Sequence, residues 1–183
     1  SCDIAVKMLK DLVKLHGGKD GLFIATLDAS GAFESVIWDR IFARLACNNN
    51  ARIVRLIWLM YGFNKYEIRW GSVVTTECFT AGQGTKQGGV LSSFIFNEYM
   101  MILAERLRCL QGFSAYRLIW NSLFFADDLT LLGLNASHLQ SMLDECTKFQ
   151  LEGYITWNTA KSYVIALKSG KRPDPDCISI FVL

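Results

Sequence analysis

Phe124-Phe125-Ala126-Asp127-Asp128-Leu129-Thr130-Leu131-Leu132 sets two adjacent carboxylates between two apolar runs. The runs are rich in strand-compatible residues, and Asn121-Ser122 and Gly133 mark breaks on either side. The pattern predicts a strand, a tight turn carrying Asp127 and Asp128, and a second, antiparallel strand. Two readings of the aspartates stand side by side. Neighbouring carboxylates repel, so gathering them calls for a counter-charge, and hard divalent cations take oxygen ligands. Aspartate is also an ordinary turn residue, and on this stretch alone an exposed hairpin tip is the favoured reading. The rest of the chain has to decide between them.

Working outward, Gly21-Leu22-Phe23-Ile24-Ala25-Thr26-Leu27 has the length and composition of a buried strand, and it ends at Asp28. If this strand neighbours the first stretch in one sheet, Asp28 and Asp127 emerge at the same edge. Three carboxylates meeting there can hold two divalent cations about 3.5–4 Å apart. Taken alone, Asp28 in Asp-Ala-Ser-Gly reads as a turn or cap residue. Phe33 lies five residues further on, as a core aromatic or as a ring beside the sugar of a bound nucleotide. In the second role it fills the space of a 2′-hydroxyl without offering it a hydrogen bond, which selects deoxyribose.

Between the acidic stretches lies Ala81-Gly82-Gln83-Gly84-Thr85-Lys86-Gln87-Gly88-Gly89. It fits neither G-x-x-x-x-G-K-[ST] nor G-x-G-x-x-G. Gln87-Gly88-Gly89 before a helix allows close backbone approach to a ligand, helped by free N–H groups; an ordinary glycine-rich loop is the alternative.

The remaining elements follow from periodicity. Ile4, Met8, Leu9, Leu12 and Val13 give an amphipathic helix over Cys2–His16, closed by Gly17-Gly18. Ser35 can cap a helix running to about Cys47 with Val36, Ile37, Ile41, Phe42 and Leu45 inward. A second helix covers Ala51 to Tyr61 and stops at Gly62. Arg40, Arg44, Arg52 and Arg55 dot these two helices as a solvated face. Tyr66–Trp70 and Val73–Phe79 flank the hairpin signal Gly71-Ser72. A long apolar helix is expected from Val90 to about Leu110, strands at Tyr116–Trp120 and Ser122–Phe125, and a helix opened by Ser137 and ended by Gly153. A strand follows at Tyr163–Leu167, then a basic turn at Gly170–Pro175 and a strand from Ile178. Strands, hairpins and helices mix, so the expected class is α+β.

Composition excludes several classes. At 51% hydrophobic and 20% charged over 183 residues, the chain can fill a substantial core and is no disordered tail. With 19 basic and 17 acidic residues the net charge is only +2, whereas a standalone nucleic-acid binder is usually clearly basic. Any grip on phosphates is therefore local or lies on other segments. The six cysteines form no C-x-x-C pair and take no zinc spacing with His16 or His138. They are expected as buried free thiols in a reducing compartment. No signal peptide or transmembrane run is present, so the expected setting is intracellular, nuclear or cytoplasmic, without a membrane partner.

In combination these motifs resemble the reverse transcriptases of non-LTR (LINE-type) retrotransposons. Leu27-Asp28-Ala29-Ser30-Gly31-Ala32-Phe33-Glu34-Ser35-Val36 looks like the first acidic motif. Gly84-Thr85-Lys86-Gln87-Gly88-Gly89-Val90-Leu91-Ser92-Ser93-Phe94-Ile95-Phe96-Asn97 looks like the glutamine-glycine motif. Phe125-Ala126-Asp127-Asp128 is the paired-aspartate motif as it stands. Gly153-Tyr154-Ile155-Thr156-Trp157-Asn158-Thr159-Ala160-Lys161-Ser162 is similar to the segment in which asparagine precedes lysine by three. All four occur in the family's order and cover nearly the whole chain. Glu34 departs from a usual aspartate, and Lys86 and Ser93 from frequent prolines.

The resemblance implies a polymerase palm, an antiparallel sheet backed by helices, with part of the fingers. Residues 1–183 are then expected to be a partial domain without thumb or endonuclease, weak or inactive alone. It implies RNA-directed DNA synthesis by two-metal nucleotidyl transfer. Asp28, Asp127 and Asp128 would bind two Mg2+ ions, with Mn2+ as a substitute, and Lys161 would lie near the triphosphate as the fourth catalytic group. Phe33, Gln87 and Gly88 would contact the nucleotide and template. The implied partners are an RNA template, a DNA primer, deoxynucleoside triphosphates and the missing fingers and thumb segments of a longer polyprotein. A non-catalytic retrotransposon remnant acting by binding and an RNA-directed RNA polymerase are the rivals. Phe33 argues against the second, since a ribonucleotide enzyme is expected to place a polar residue there.

Overall fold

The computed structural model describes residues 2–16, 21–48, 51–62, 65–75, 77–86, 88–115 and 118–167. The expected Gly17-Gly18 stop, Gln87, the start of the Tyr116 strand, the turn at 170–175 and the last strand lie outside them. In chain order the elements are α1 (Cys2–His16), β1 (Leu22–Ser30), α2 (Trp38–Asn48), α3 (Ala51–Tyr61), β2 (Lys65–Tyr66), β3 (Arg69–Trp70), β4 (Val73–Val74), β5 (Phe79–Thr80), α4 (Ser92–Arg108), β6 (Phe113–Ala115), β7 (Leu118–Trp120), β8 (Ser122–Phe125), β9 (Asp128–Gly133), α5 (Ala136–Leu151), β10 (Thr156–Trp157) and β11 (Tyr163–Leu167). The chain divides into two compact units, residues 1–32 with 100–183, and residues 33–99.

The first unit is built on an antiparallel sheet ordered β10-β1-β9-β8, with β11 also paired to β1. Successive side chains of a strand point to opposite faces, and here the two faces divide cleanly. Ala25 and Leu27 pair with Leu131 and Leu129, all buried, in the row that also holds Gly133. A Cβ on Gly133 would come within 2.9 Å of Leu139. This row therefore faces α5, whose Leu139, Met142, Leu143, Cys146 and Phe149 are buried. On the opposite face Leu22, Ile24 and Leu132 cluster with Leu12 of α1 and Phe113, flanked by Leu9 and Val13. The helix periodicity read from Cys2–His16 thus covers one end of that face.

In the second unit, residues 33–37 are strapped to the glycine-rich loop. The N–H of Gly84 donates to the Val36 carbonyl at 2.7 Å, that of Thr85 to the Phe33 carbonyl at 2.8 Å, and Ile37 bridges Gln83. These peptides are spent on the loop, so α2 begins at Trp38 and Ser35 is not its cap; the Ser35 carbonyl instead accepts the Tyr99 hydroxyl. Arg44 departs from the expected solvated face, since it pairs with Glu98 at 3.2 Å and is largely buried. Helix α3 ends as read, with the Gly62 N–H closing on the Trp58 carbonyl. The hairpin around Gly71, at φ 61°, pairs in two short pieces.

Other boundaries moved for identifiable reasons. Helix α5 is capped by Asn135, whose Oδ1 accepts the His138 N–H at 2.9 Å, not by Ser137. Helix α4 begins at Ser92, because Lys86, Gly89 and Ser92 form consecutive tight turns before it. Cys146 is buried, and burial together with Glu145 pushes its thiol well above the usual range, whereas Cys47, Cys78 and Cys109 are exposed and depart from the expected buried thiols. Among the described residues no helix is long and apolar enough to cross a membrane.

The double-faced sheet makes a stability prediction. Leu131→Ala empties a fully buried position between β9 and α5 and is expected to cost about 2–5 kcal/mol. Chemical denaturation of the variant checks it.

Candidate active site

Strand β1 does not end at Asp28, as its sequence suggests, but runs on to Ser30. Its pairing with β9 continues until Asp28 stands directly opposite Asp128. On the face that carries α1, the rows change from Ile24/Leu132 to Thr26/Thr130 to Asp28/Asp128. The sequence thus turns polar along one row of one face. Both backbone groups of Asp28 point away from β9: its carbonyl accepts the Asn158 N–H at 2.8 Å and its N–H donates to Ser162 Oγ at 3.3 Å. Asp28 and Asp128 therefore form a non-hydrogen-bonded pair, the kind in which opposed side chains approach closest, with Cα atoms about 4.5 Å apart.

Asp127 sits in the two-residue link between β8 and β9, after Ala126, whose φ is 52°. Tight hairpin links favour positive φ at this place, normally from glycine. A shallow groove of about 580 Å³ runs over the face, lined by Asp28, Asp128, Lys161, Thr26, Thr130 and Tyr163 among others. Lys161 Nζ lies 3.7 Å from Asp28 Oδ2 and is 68% exposed, whereas Asp28 is 23% exposed. Desolvation, then the charges of Asp127 and Asp28, hold the Asp128 carboxyl above the usual aspartate range, with Lys161 opposing them.

The structure thus brings together Asp28, Asp128 and Lys161, with Asp127 on the adjoining turn. Phe33 and Gly88 belong to the second unit. Phe33 stacks on Phe96 at 4.9 Å between ring centroids. Gly88 has φ 75° with open space where a Cβ would stand, as a loop built for close backbone approach requires. The Gly89 N–H is not free, since it donates to the Lys86 carbonyl. Gln87 lies outside the described residues.

Among the described residues no group of three or more histidine, cysteine or acidic side chains is arranged to hold a metal ion. The donor chemistry still fits a hard dication. Mg2+ is commonly held by one or two carboxylates and completed by water and substrate phosphates, and the repulsion between the facing carboxylates of Asp28 and Asp128 is what a bound cation relieves. Asn158, known from the sequence only as the asparagine three residues before Lys161, and Ser162, given no role there, are the partners of the Asp28 backbone. Their only signal was their place around Lys161.

The sequence model of the reverse transcriptase (RNA-dependent DNA polymerase) family matches residues 5–172. The chain belongs to the reverse transcriptase family. Over 173 residues it is 31% identical to the Retrovirus-related Pol polyprotein from type-2 retrotransposable element R2DM of Drosophila melanogaster, covering 91% of this chain and 16% of that polyprotein. The expected kinship with non-LTR retrotransposon reverse transcriptases stands on these two matches. Among solved structures, telomerase from Candida tropicalis with a TWJ fragment of telomeric RNA superposes with TM-score 0.71 at 14% identity, over 92% of this chain and 29% of that one. The apo telomerase from the same organism gives 0.70 at 15% identity, over 98% of this chain and 33% of that one. These likenesses establish the fold, the expected α+β palm type. The reverse transcriptase domain described here spans a small fraction of the length of each relative.

The raised Asp128 carboxyl, desolvated and beside Asp127 and Asp28, gives stability a pH dependence of definite sign. A carboxyl raised on folding makes the native state bind more protons than the unfolded one. Stability then falls as pH rises from the ordinary aspartate range through the raised value. In chelator-treated protein Asp128→Asn is expected to stabilise the fold at neutral pH, and the difference should vanish in acid below the ordinary aspartate range. Thermal unfolding of both proteins across pH tests this.

Proposed function

We propose that the chain is the palm, with the adjoining part of the fingers, of an RNA-directed DNA polymerase that extends a DNA primer on an RNA template inside the cell. The observation that carries the reading is the facing pair Asp28 and Asp128 on an open sheet face, with Lys161 beside Asp28. Asp28, Asp127 and Asp128 would hold two Mg2+ ions, or Mn2+ in their place. When bound, such ions supply Lewis-acid activation of the primer hydroxyl and neutralise the leaving pyrophosphate.

The remaining work falls to the chain's own groups. Asp28 and Asp128 hold their charge in the groove of the open sheet face, with Asp127 on the adjoining turn. The exposed ammonium of Lys161 is a mobile cation that can neutralise, or pass a proton to, a departing phosphate. Phe33 closes the space of a 2′-hydroxyl and leaves any hydroxyl there unpaired. Gln87 and Gly88 would line the nucleotide and template, and at Gly88 a φ 75° backbone without a side chain lets a ligand approach. Thumb and further finger segments of a longer protein would complete the grip on primer and template, for which a net charge of +2 gives little purchase.

The test is Mg2+- or Mn2+-dependent extension of a DNA primer on an RNA template, by this chain and by its longest natural extension. Extension with deoxynucleotides is expected in the longer chain, and Asp127→Ala is expected to abolish it. No extension by either protein, with no metal bound, would leave a remnant that acts by binding. In the active protein Phe33→Val is expected to admit ribonucleotides; unchanged sugar selection in competition assays would remove Phe33 from the site.

A further inference from the structure

The edge of β1 changes partner beside its aspartate. Thr26 pairs with Tyr163 of β11, and Ala29 pairs with Trp157 of β10. Between them residues 158–162 leave the ladder in a turn, so the two outward backbone groups of Asp28 face a gap. Asn158 fills one half of it with its N–H. The other half is filled by a side chain, since Ser162 Oγ accepts the Asp28 N–H at 3.3 Å. The same hydroxyl donates to the Asn158 carbonyl at 2.8 Å, and a serine hydroxyl can do both at once. That carbonyl also accepts the Lys161 N–H at 3.1 Å, while Asn158 Oδ1 takes the Ala160 N–H at 3.2 Å. Ser162 is 9% exposed, so water does not readily replace it.

We propose that Ser162 is a positioning residue for the metal-binding carboxylate: its hydroxyl locks the Asp28 peptide to the turn that carries Lys161. The inference rests on the metal-binding reading of Asp28 given above. Without the hydroxyl, nothing in the ladder fixes the Asp28 N–H, and the carboxylate and the Lys161 ammonium lose their common reference. The deficit falls on metal affinity and not on nucleotide recognition, because Ser162 reaches neither ligand except through Asp28. Threonine keeps the oxygen at this place; alanine removes it; cysteine keeps the shape with a poor acceptor.

The decisive measurement is Mn2+ binding by calorimetry and by the spin-resonance signal of the free ion, on the full-length protein that contains these residues. Asp28→Asn marks the site, and Met142→Ala serves as a control that weakens the core without touching Asp28. Ser162→Ala is expected to weaken the Asp28-dependent Mn2+ site about tenfold, Ser162→Thr to restore it, and Met142→Ala to lower the melting temperature alone. In primer extension the half-saturating metal concentration should rise in Ser162→Ala while KM for deoxynucleotide at saturating metal stays within about twofold. If Ser162→Ala does not fold, Ser162→Cys carries the test and is expected to bind Mn2+ more weakly than wild type. Wild-type Mn2+ affinity in the folded Ala or Cys variant, or equal loss in Met142→Ala, overturns the proposal and leaves the polymerase reading intact. Absence of Asp28-dependent binding in the wild type overturns it as well. Serine-dependent binding in a protein that extends no primer supports the positioning role and sinks the polymerase reading.

Discussion

The register between β1 and β9 is the constraint on which the site depends. It sets Leu27 against Leu129 and Ala25 against Leu131 on one face, and Asp28 against Asp128 on the other. Like charges directly opposite each other in a sheet are unfavourable, so the acidic pair cannot be what fixes this register. The apolar rows fix it. A slip by one residue would turn the face of Leu27 and Ala25 away from α5 and drive Asp28 into that core. The hydrophobic contacts beneath the sheet thus hold two carboxylates together that would otherwise separate; desolvation first, and the neighbouring charges of Asp127 and Asp28 after it, raise the Asp128 carboxyl.

The second layer of control is on the other edge of β1. There the ladder is interrupted, and the interruption falls at Asp28, whose peptide is tied to Asn158 and Ser162. One strand is thus held from both sides, by side-chain burial towards β9 and α5 and by hydrogen bonds towards residues 158–162. Lys161 enters the acidic corner because it belongs to that same turn. Its charge offsets part of the repulsion without filling the groove, since most of its side chain stays in water.

Where the sequence carried a strong period, it was legible. Helices α1 and α3 and strand β11 have the bounds read from apolar spacing and glycine stops, and a hairpin does join β8 to β9, but its link falls on Ala126 and Asp127, one residue earlier than the turn expected at Asp127 and Asp128, because Asp128 already pairs with Phe125 in the ladder. What failed was local chemistry overridden by distant partners. Ser35 has the composition of a cap, but residues 33–37 pair with a loop some fifty positions away. The helix read as opening at Ser137 starts one residue earlier, at Ala136, because the Asn135 carboxamide reaches the His138 N–H and caps it. Asp28 looked like a strand end because a polar residue follows an apolar run. In the fold it is the point where one face of a continuing strand becomes polar. For the site, the sequence identified the acidic residues and Lys161 but was silent on Ser162, because a serine after a lysine has no periodic or compositional signal.

Ala126 shows how tightly the acidic tip is specified. Phe125 must pair with Asp128 to keep β9 in register, so the link between them has only Ala126 and Asp127 to reverse the chain. A right-handed sheet twist then asks for positive φ in that link, and Ala126 supplies it at 52° despite the clash its Cβ brings. Glycine would remove the clash, but it would also widen the range of conformations open to the tip. The methyl group restricts the turn on which Asp127 is carried. A strained residue persists where the surroundings over-determine it, and here the surroundings are the paired strands on both sides. The same pairing that opposes Asp28 to Asp128 therefore also fixes the turn bearing Asp127, so the acidic corner follows from one strand register and not from three separate placements.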